Sequence, residues 1–236
     1  MCTVANLEHR MNKSAPCYRI NPDDFSWLDN PFRKAKRLFD SNKVELREIE
    51  LTAGALWSQE GPCFLLITNG QLQMLSGETV QVDDILWSKS SETVVTAGSK
   101  GVRFYLVQPK DDIGNEVDSA ILKKASIAWQ NFDDPAGRPT QPVQVLLDGS
   151  FSALRTRFVP SYIAGEHWHD FDTLYFICDG RMRFGDEGWF ETGEIRAVHG
   201  GHSYGPEEPG DNSVEFVLIS LGGPVALHWS DLEPPP

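Results

Sequence analysis

A chain of 236 residues with 40% hydrophobic and 23% charged side chains carries enough apolar material for one large all-β domain or two small ones. Its 34 acidic residues outweigh 21 basic ones, for a formal net charge of -13, which argues against nucleic acid and anionic membrane surfaces as partners. No apolar run approaches the length of a membrane-spanning helix, and Cys2, Cys17, Cys63 and Cys178 lack CxxC spacing.

Residues 1–44 form a polar, proline-punctuated arm. The opening MCTVANLEHRMNKS has no apolar signal core, so a reducing cytoplasm is the expected compartment. Within the arm, NPDDFSWLDNPF predicts capped turns and FRKAKRLFDS a short helix with the basic RKAKR run on its solvated face. Residues 45–110 then carry short apolar segments, VELREIEL, CFLLIT, QLQML, DDILWS, ETVVTA and VRFYLVQ, separated by turn-forming residues, and these predict strands. Cys63 and Cys178 fall within apolar stretches, as structural thiols do. Residues 111–142 predict a linker: a brief helix in the stretch ending SAILKKASIAW, then the turn-rich DDPAGRPTQP. From 143 to 236 the strand pattern returns through VQVLL, FSALRTRFV, DTLYFIC, RMRFG, GEIRAV and SVEFVLISL.

The two strand-rich blocks align as copies. GALWSQEGPCFLLITNGQLQM from Gly54 sets against GEHWHDFDTLYFICDGRMRF from Gly165, matching Trp57 with Trp168 and, after one insertion, Gly70 with Gly180. VDDILWSKSSE falls opposite TGEIRAVHGGH, with Asp84 against Glu194. In this register Leu56 and Ser58 stand where the second copy has His167 and His169, so only the second copy can hold an ion on imidazoles.

His167 and His169 are two residues apart beside a β-branched, aromatic segment. On a strand, residues i and i+2 point to one face, and on the concave side of a curved sheet their side chains converge. GEIRAVHGGHSYGP adds His199 and His202 between glycines that allow tight backbone geometry. Three imidazoles from two strands would leave open coordination positions, the layout of a catalytic metal site and not a structural zinc.

These residues resemble the cupin superfamily, specifically a bicupin whose N-terminal cupin is degenerate and whose C-terminal cupin binds metal. HWHDFDTLYFICDG matches the first cupin motif in its histidines and in Gly180, but Thr173 stands where the motif has glutamate, with Asp172 one residue out of register. GEIRAVHGGHSYGP matches the second motif with His202 in the ligand place if its loop is two residues shorter; without that deletion Tyr204 occupies it. The resemblance implies an all-β fold of two cupin-type jelly-roll barrels with a short helical arm and linker. It implies His167, His169 and His202 as ligands of one divalent transition metal, Fe(II) foremost and Mn, Ni or Zn otherwise.

Three neutral ligands would favour an anionic, chelating substrate, so an oxygenase acting on a small organic acid or ketone is the leading functional expectation. An oxygen-independent lyase or isomerase and a non-catalytic sensor are the alternatives. Tyr204 and His199, next to the third ligand, are the expected proton donors. Phe171, Thr173 and Tyr175 share the inward face by strand parity, while Trp168 faces away to pack elsewhere. A homodimer is the expected assembly, since cupins pair through edge strands.

Overall fold

The computed structural model describes residues 17–110, 119–131 and 141–230. The opening segment, the DDIGNEVD part of the linker and its DDPAGRPT turn lie outside the described residues. The described chain is built of strands, with short 3-10 turns at Pro22–Asp24, Lys124–Ser126 and Gly185–Glu187. No helix among the described residues is long and apolar enough to cross a membrane.

Two sheets organise it. One runs in the order Ala120–Leu122, Ile85–Ser88, Cys63–Met74, Glu92–Pro109, Val44–Leu51, Arg33–Asp40, Leu28–Asn30, with Leu56–Glu60 and Thr79–Gln81 attached to its long strands. The other runs Cys17–Ile20, Ile195–Val198, Asp172–Asp179, Val214–Leu221, Phe151–Phe158, Pro142–Leu147, Gln130–Asn131. Neighbouring strands in both pair antiparallel. ETVVTA and VRFYLVQ belong to one strand, Glu92–Pro109, with Gly101 at φ 79° where a Cβ would lie 2.7 Å from the Leu51 carbonyl oxygen.

The strands alternate strictly between two apolar layers. Leu174, Phe176, Ile195, Ala197, Val217 and Ile219 face the other sheet, where Trp87 stacks on Phe151 at 5.3 Å and Tyr105 donates to the Gly193 carbonyl at 2.9 Å. The opposite faces fill two separate interiors. The N-terminal one holds Trp57, Leu65, Val95, Phe104 and Leu106; the C-terminal one holds Tyr175, Ile177, Phe184, Phe190, Tyr204 and Phe216.

Two expectations are corrected. FRKAKRLFDS is no helix: Arg33–Asp40 is a strand pairing with Val44–Leu51. Its alanine, lysine and leucine favour a helix locally, but the neighbouring strand offers acids in register. Lys36 meets Glu48 at 3.1 Å, Arg37 meets Glu45 at 3.2 Å, and buried Lys36 also donates to the Pro22 carbonyl. The described part of the linker likewise contains no α-helix; Ala120–Leu122 extends the first sheet, and only a single 3-10 turn follows. The arm also does more than pack on its own block, because Cys17–Ile20 adds an edge strand beside Ile195–Val198 in the C-terminal sheet.

The aligned tryptophans face in opposite senses. Trp57 is buried in the N-terminal interior, edge-on to Phe104 at 5.3 Å, while Leu56 is 68% exposed. Trp168 points outward and stacks on His228 at 5.2 Å, and its neighbours His167 and His169 go in. Pairing decides this parity. Leu56–Glu60 lies against Glu92–Thr96, whereas His167–Trp168 pairs with His228–Trp229, and a one-residue change of register moves every side chain to the other face. Trp57 thus points into its interior with an indole, whereas in the second block the flanking imidazoles point inward and Trp168 does not.

Candidate functional site

His167 and His169 lie inside the C-terminal unit, 1% and 5% exposed, with ring centroids 5.6 Å apart and nearly perpendicular. Each ring is pinned through Nδ1. His167 Nδ1 is 2.7 Å from the Gly165 carbonyl and His169 Nδ1 is 2.6 Å from the Ala226 carbonyl. A carbonyl only accepts, so each Nδ1 carries the proton and each Nε2 presents a lone pair to the interior. Burial lowers both pKa values to about 4, keeping the rings neutral at ordinary pH.

Tyr204 stands beside His167. Its backbone exchanges two hydrogen bonds of 3.0 Å with that of His167, and the two ring centroids are 4.6 Å apart. Tyr204 therefore occupies the place that the motif reaches when its loop is not shortened. Its hydroxyl makes a short hydrogen bond to that of Tyr175, whose oxygen lies 3.3 Å from His169 Nε2. Burial raises both phenol pKa values, so both protons are retained. The bridge continues to Ala164 and Glu207, whose backbones also exchange two hydrogen bonds. The turn between needs Gly205: at φ 131°, any Cβ there would lie 2.9 Å from the Gly165 carbonyl oxygen.

Two buried charges complete the cluster. Glu207 is 2% exposed, its Oε1 lies 3.8 Å from His167 Nε2, and that oxygen has no hydrogen-bond partner. Burial pushes its pKa up to about 7, against the opposing pull of Arg196 and the Tyr175 hydroxyl. Arg196 is fully buried, its guanidinium 4.1 Å from the Tyr204 ring centroid and 4.3 Å from that of Phe184. Its Nε and Nη2 bind Glu187, whose carboxylate outweighs the effect of burial and keeps the guanidinium charged, while Nη1 has no partner.

The C-terminal segment closes this cluster from outside. Trp229 packs against His167 at 5.3 Å, Ala226 accepts from His169, and Ser230 donates its N–H to the Glu166 carbonyl at 3.0 Å.

The other residues singled out from sequence are placed elsewhere. His199 is a surface group whose Nδ1 is 3.5 Å from Asp172 and whose ring meets Tyr18 edge-on. His202 is half-buried, in a tight turn where its N–H donates to the His199 carbonyl at 3.3 Å. Among the described residues, no three His, Cys, Asp or Glu side chains are grouped so that they could hold a metal ion, and the triad His167, His169 and His202 is therefore not assembled. Asp172 accepts from the Gly200 N–H at 2.9 Å and faces Lys43 at 3.4 Å; Thr173 points inward with its hydroxyl unpartnered. Phe171 is half-buried beneath Gly222 and Gly223.

Sequence reasoning missed Glu207 and Arg196. Arg196 had a signal: Ile195 and Ala197 alternate onto one face, which leaves Arg196 with Val198 on the inward one. Glu207 had none, since its place depends on a bridge across to Ala164.

No protein-family description and no curated protein matches this chain. Solved structures do. The Lactobacillus farciminis oxalate decarboxylase formate complex superposes with a TM-score of 0.68 at 10% identity, covering 90% of this chain and 88% of the other. A Bacillus subtilis oxalate decarboxylase, a protein described as having Mn(II) centres, superposes with a TM-score of 0.64 at 13% identity, covering 92% of this chain and 81% of that one. At such identities the likeness is one of fold.

Proposed function

We propose that the C-terminal β-unit is a divalent-metal site of the cupin type that acts on a small organic acid. The observation that carries this reading is the matched pair of imidazoles: both rings are fixed by Nδ1–H to main-chain carbonyls, neutral, buried, and aimed inward through Nε2. Such second-contact anchoring is how metal-binding histidines are oriented. One unpartnered polar atom beside them, Glu207 Oε1 at 3.8 Å from His167 Nε2, is left unsatisfied by the protein.

His167 and His169 would hold the ion, with Tyr204 or Glu207 beside them in place of His202. When bound, the ion supplies Lewis acidity toward a substrate oxygen. The chain's own residues do the rest. Arg196 offers a buried positive charge and a free Nη1 to an anionic substrate. Tyr204 and Tyr175 keep their protons and can donate to developing charge. Phe184, Phe216 and Trp229 exclude bulk water, which strengthens each of these interactions.

Carbon–carbon cleavage without net oxidation, a lyase reaction on a small carboxylic acid, is the reading favoured by the likeness in fold to oxalate decarboxylases. The aromatic-walled interior equally suits an oxygenase, the second reading. Metal-stripped protein reloaded with Mn(II) or Fe(II) and offered small keto acids and dicarboxylic acids separates them. Turnover without oxygen supports the lyase, and oxygen-dependent turnover the oxygenase. Failure of the protein to take up any divalent ion, or full uptake by His167→Ala, would overturn the metal reading.

A further inference from the structure

Every group of the two-histidine cluster is shut inside the C-terminal unit: His167, His169, Tyr175, Arg196, Tyr204 and Glu207 are all buried. A ligand reaches them only if part of the wall opens. Most of that wall is laddered on two sides. Asp172–Asp179 lies between Ile195–Val198 and Val214–Leu221, and Ile195–Val198 is flanked again by Cys17–Ile20. Glu207–Pro209 pairs with Arg181–Phe184, and Glu207 also bridges to Ala164. The segment 224–230 is held differently: its ladder is the two-residue pairing of His228–Trp229 with His167–Trp168, a sheet separate from the large ones. Segments with so short a ladder open at less cost than doubly paired strands.

Around that ladder, the Ser230 N–H donates to the Glu166 carbonyl at 3.0 Å and its hydroxyl meets that of Ser203 at 3.0 Å. The His228–Asp170 pair, 2.9 Å apart, is open to solvent on both sides, where an ion pair adds little. Val225 and Trp229 supply the apolar cover by packing on the C-terminal interior. Where the segment leaves the sheet, Gly222 and Gly223 lie against the Phe171 ring, so closely that an added Cβ would stand 2.7 and 2.2 Å from its carbons. Only glycine fits there, and a glycine pair also gives the backbone freedom that a hinge uses.

We propose that residues 224–230 are a strap that swings about Gly222 and Gly223 to admit the ligand of the reading above, and that its return sets the His169 ring through the Ala226 carbonyl. The Ala226 N–H donates to the Pro224 carbonyl at 2.9 Å, so the turn that carries this acceptor moves as a unit. With the strap away, His167 loses its Trp229 cover and His169 Nδ1–H loses its acceptor together. Access to the interior and the orientation of His169 are thus one event.

The test locks the strap. Trp168 and His228 face outward directly opposite each other, and such cross-strand Cα atoms, about 4.5–5.5 Å apart, are within disulfide reach. In the full chain carrying Trp168→Cys and His228→Cys, the labelling of His167 and His169 by diethyl pyrocarbonate near neutral pH is followed by tandem mass spectrometry, with surface His199 as internal standard. Wild type and the reduced variant should label at both rings. Oxidation should slow this by at least about tenfold and leave His199 unchanged. Equal rates in the oxidised and reduced forms, or a folded wild type in which neither ring labels, would overturn the gate. Hydrogen exchange of wild type keeps the test if the variant does not fold: amides of 225–230 should exchange at least about tenfold faster than those of Val214–Leu221, and exchange in step with that strand would overturn the gate. No ion takes part in either measurement, so a failed gate leaves the metal reading standing, and a protein that binds no ion leaves the gate to be judged by these rates alone.

Discussion

Acidifying the metal-stripped protein from pH 7 to pH 5 should lower its stability by about 2 kcal/mol, the balance of two opposed buried titrations. His167 and His169 titrate at about 4 in the fold and near 6.5 in the unfolded chain. Between those values the unfolded chain takes up two protons that the native interior refuses. Their contribution is complete above pH 6.5 and disappears as pH falls toward 4, a loss of about 2 kcal/mol per ring over this interval. Glu207 works in the opposite direction. Its folded pKa is about 7 against 4.5 unfolded, so the native state alone gains a proton over most of the same interval. Its contribution is full below pH 4.5 and lost as pH rises through 7, returning about 2 kcal/mol on acidification. Glu207→Gln removes that return, so this variant should lose about 4 kcal/mol where wild type loses about half as much. Urea unfolding followed by tryptophan fluorescence at each pH measures both. Equal acid sensitivity in the two proteins, or a wild type indifferent to this change, would refute the electrostatic account of the cluster.

Three further outcomes rest on packing and charge. Glu215, held at about 2 by Lys124, Arg157 and Arg155 against the upward push of its burial, neutralises an Arg155 that is fully buried. Glu215→Gln should destabilise the protein by about 3–5 kcal/mol in denaturant titrations, because it leaves that guanidinium unmatched. Trp57→Ala opens a cavity against Phe104 and should also remove about 3–5 kcal/mol, while Co(II) uptake by the folded variant stays unchanged. Gly180 sits at φ 77°, where an added Cβ would lie 2.5 Å from the Ser213 carbonyl oxygen. Gly180→Ala should therefore lower the denaturation midpoint by more than about 1 kcal/mol equivalent.

The strands were legible because their information is local. In DTLYFIC, GEIRAV and SVEFVLISL the side chains alternate between two buried layers, and a period of two survives whatever the strand pairs with. FRKAKRLFDS misled for the converse reason: its residues favour a helix in isolation, and only the acids of Val44–Leu51 make it a strand. The alignment set Trp57 against Trp168, yet their opposite facing was not legible, since parity depends on the partner strand.

By itself, the sequence determined that the chain would be all-β, that the histidines worth following lie in the C-terminal block, and that His167 and His169 share a face. The tertiary structure decided which groups meet them. Tyr204 takes the place proposed for His202, Arg196 enters from the adjoining strand, and Glu207 arrives through its bridge to Ala164. Residues 40 positions apart become neighbours here only when loops set which backbones pair, and that is a non-local choice no spacing along the chain encodes.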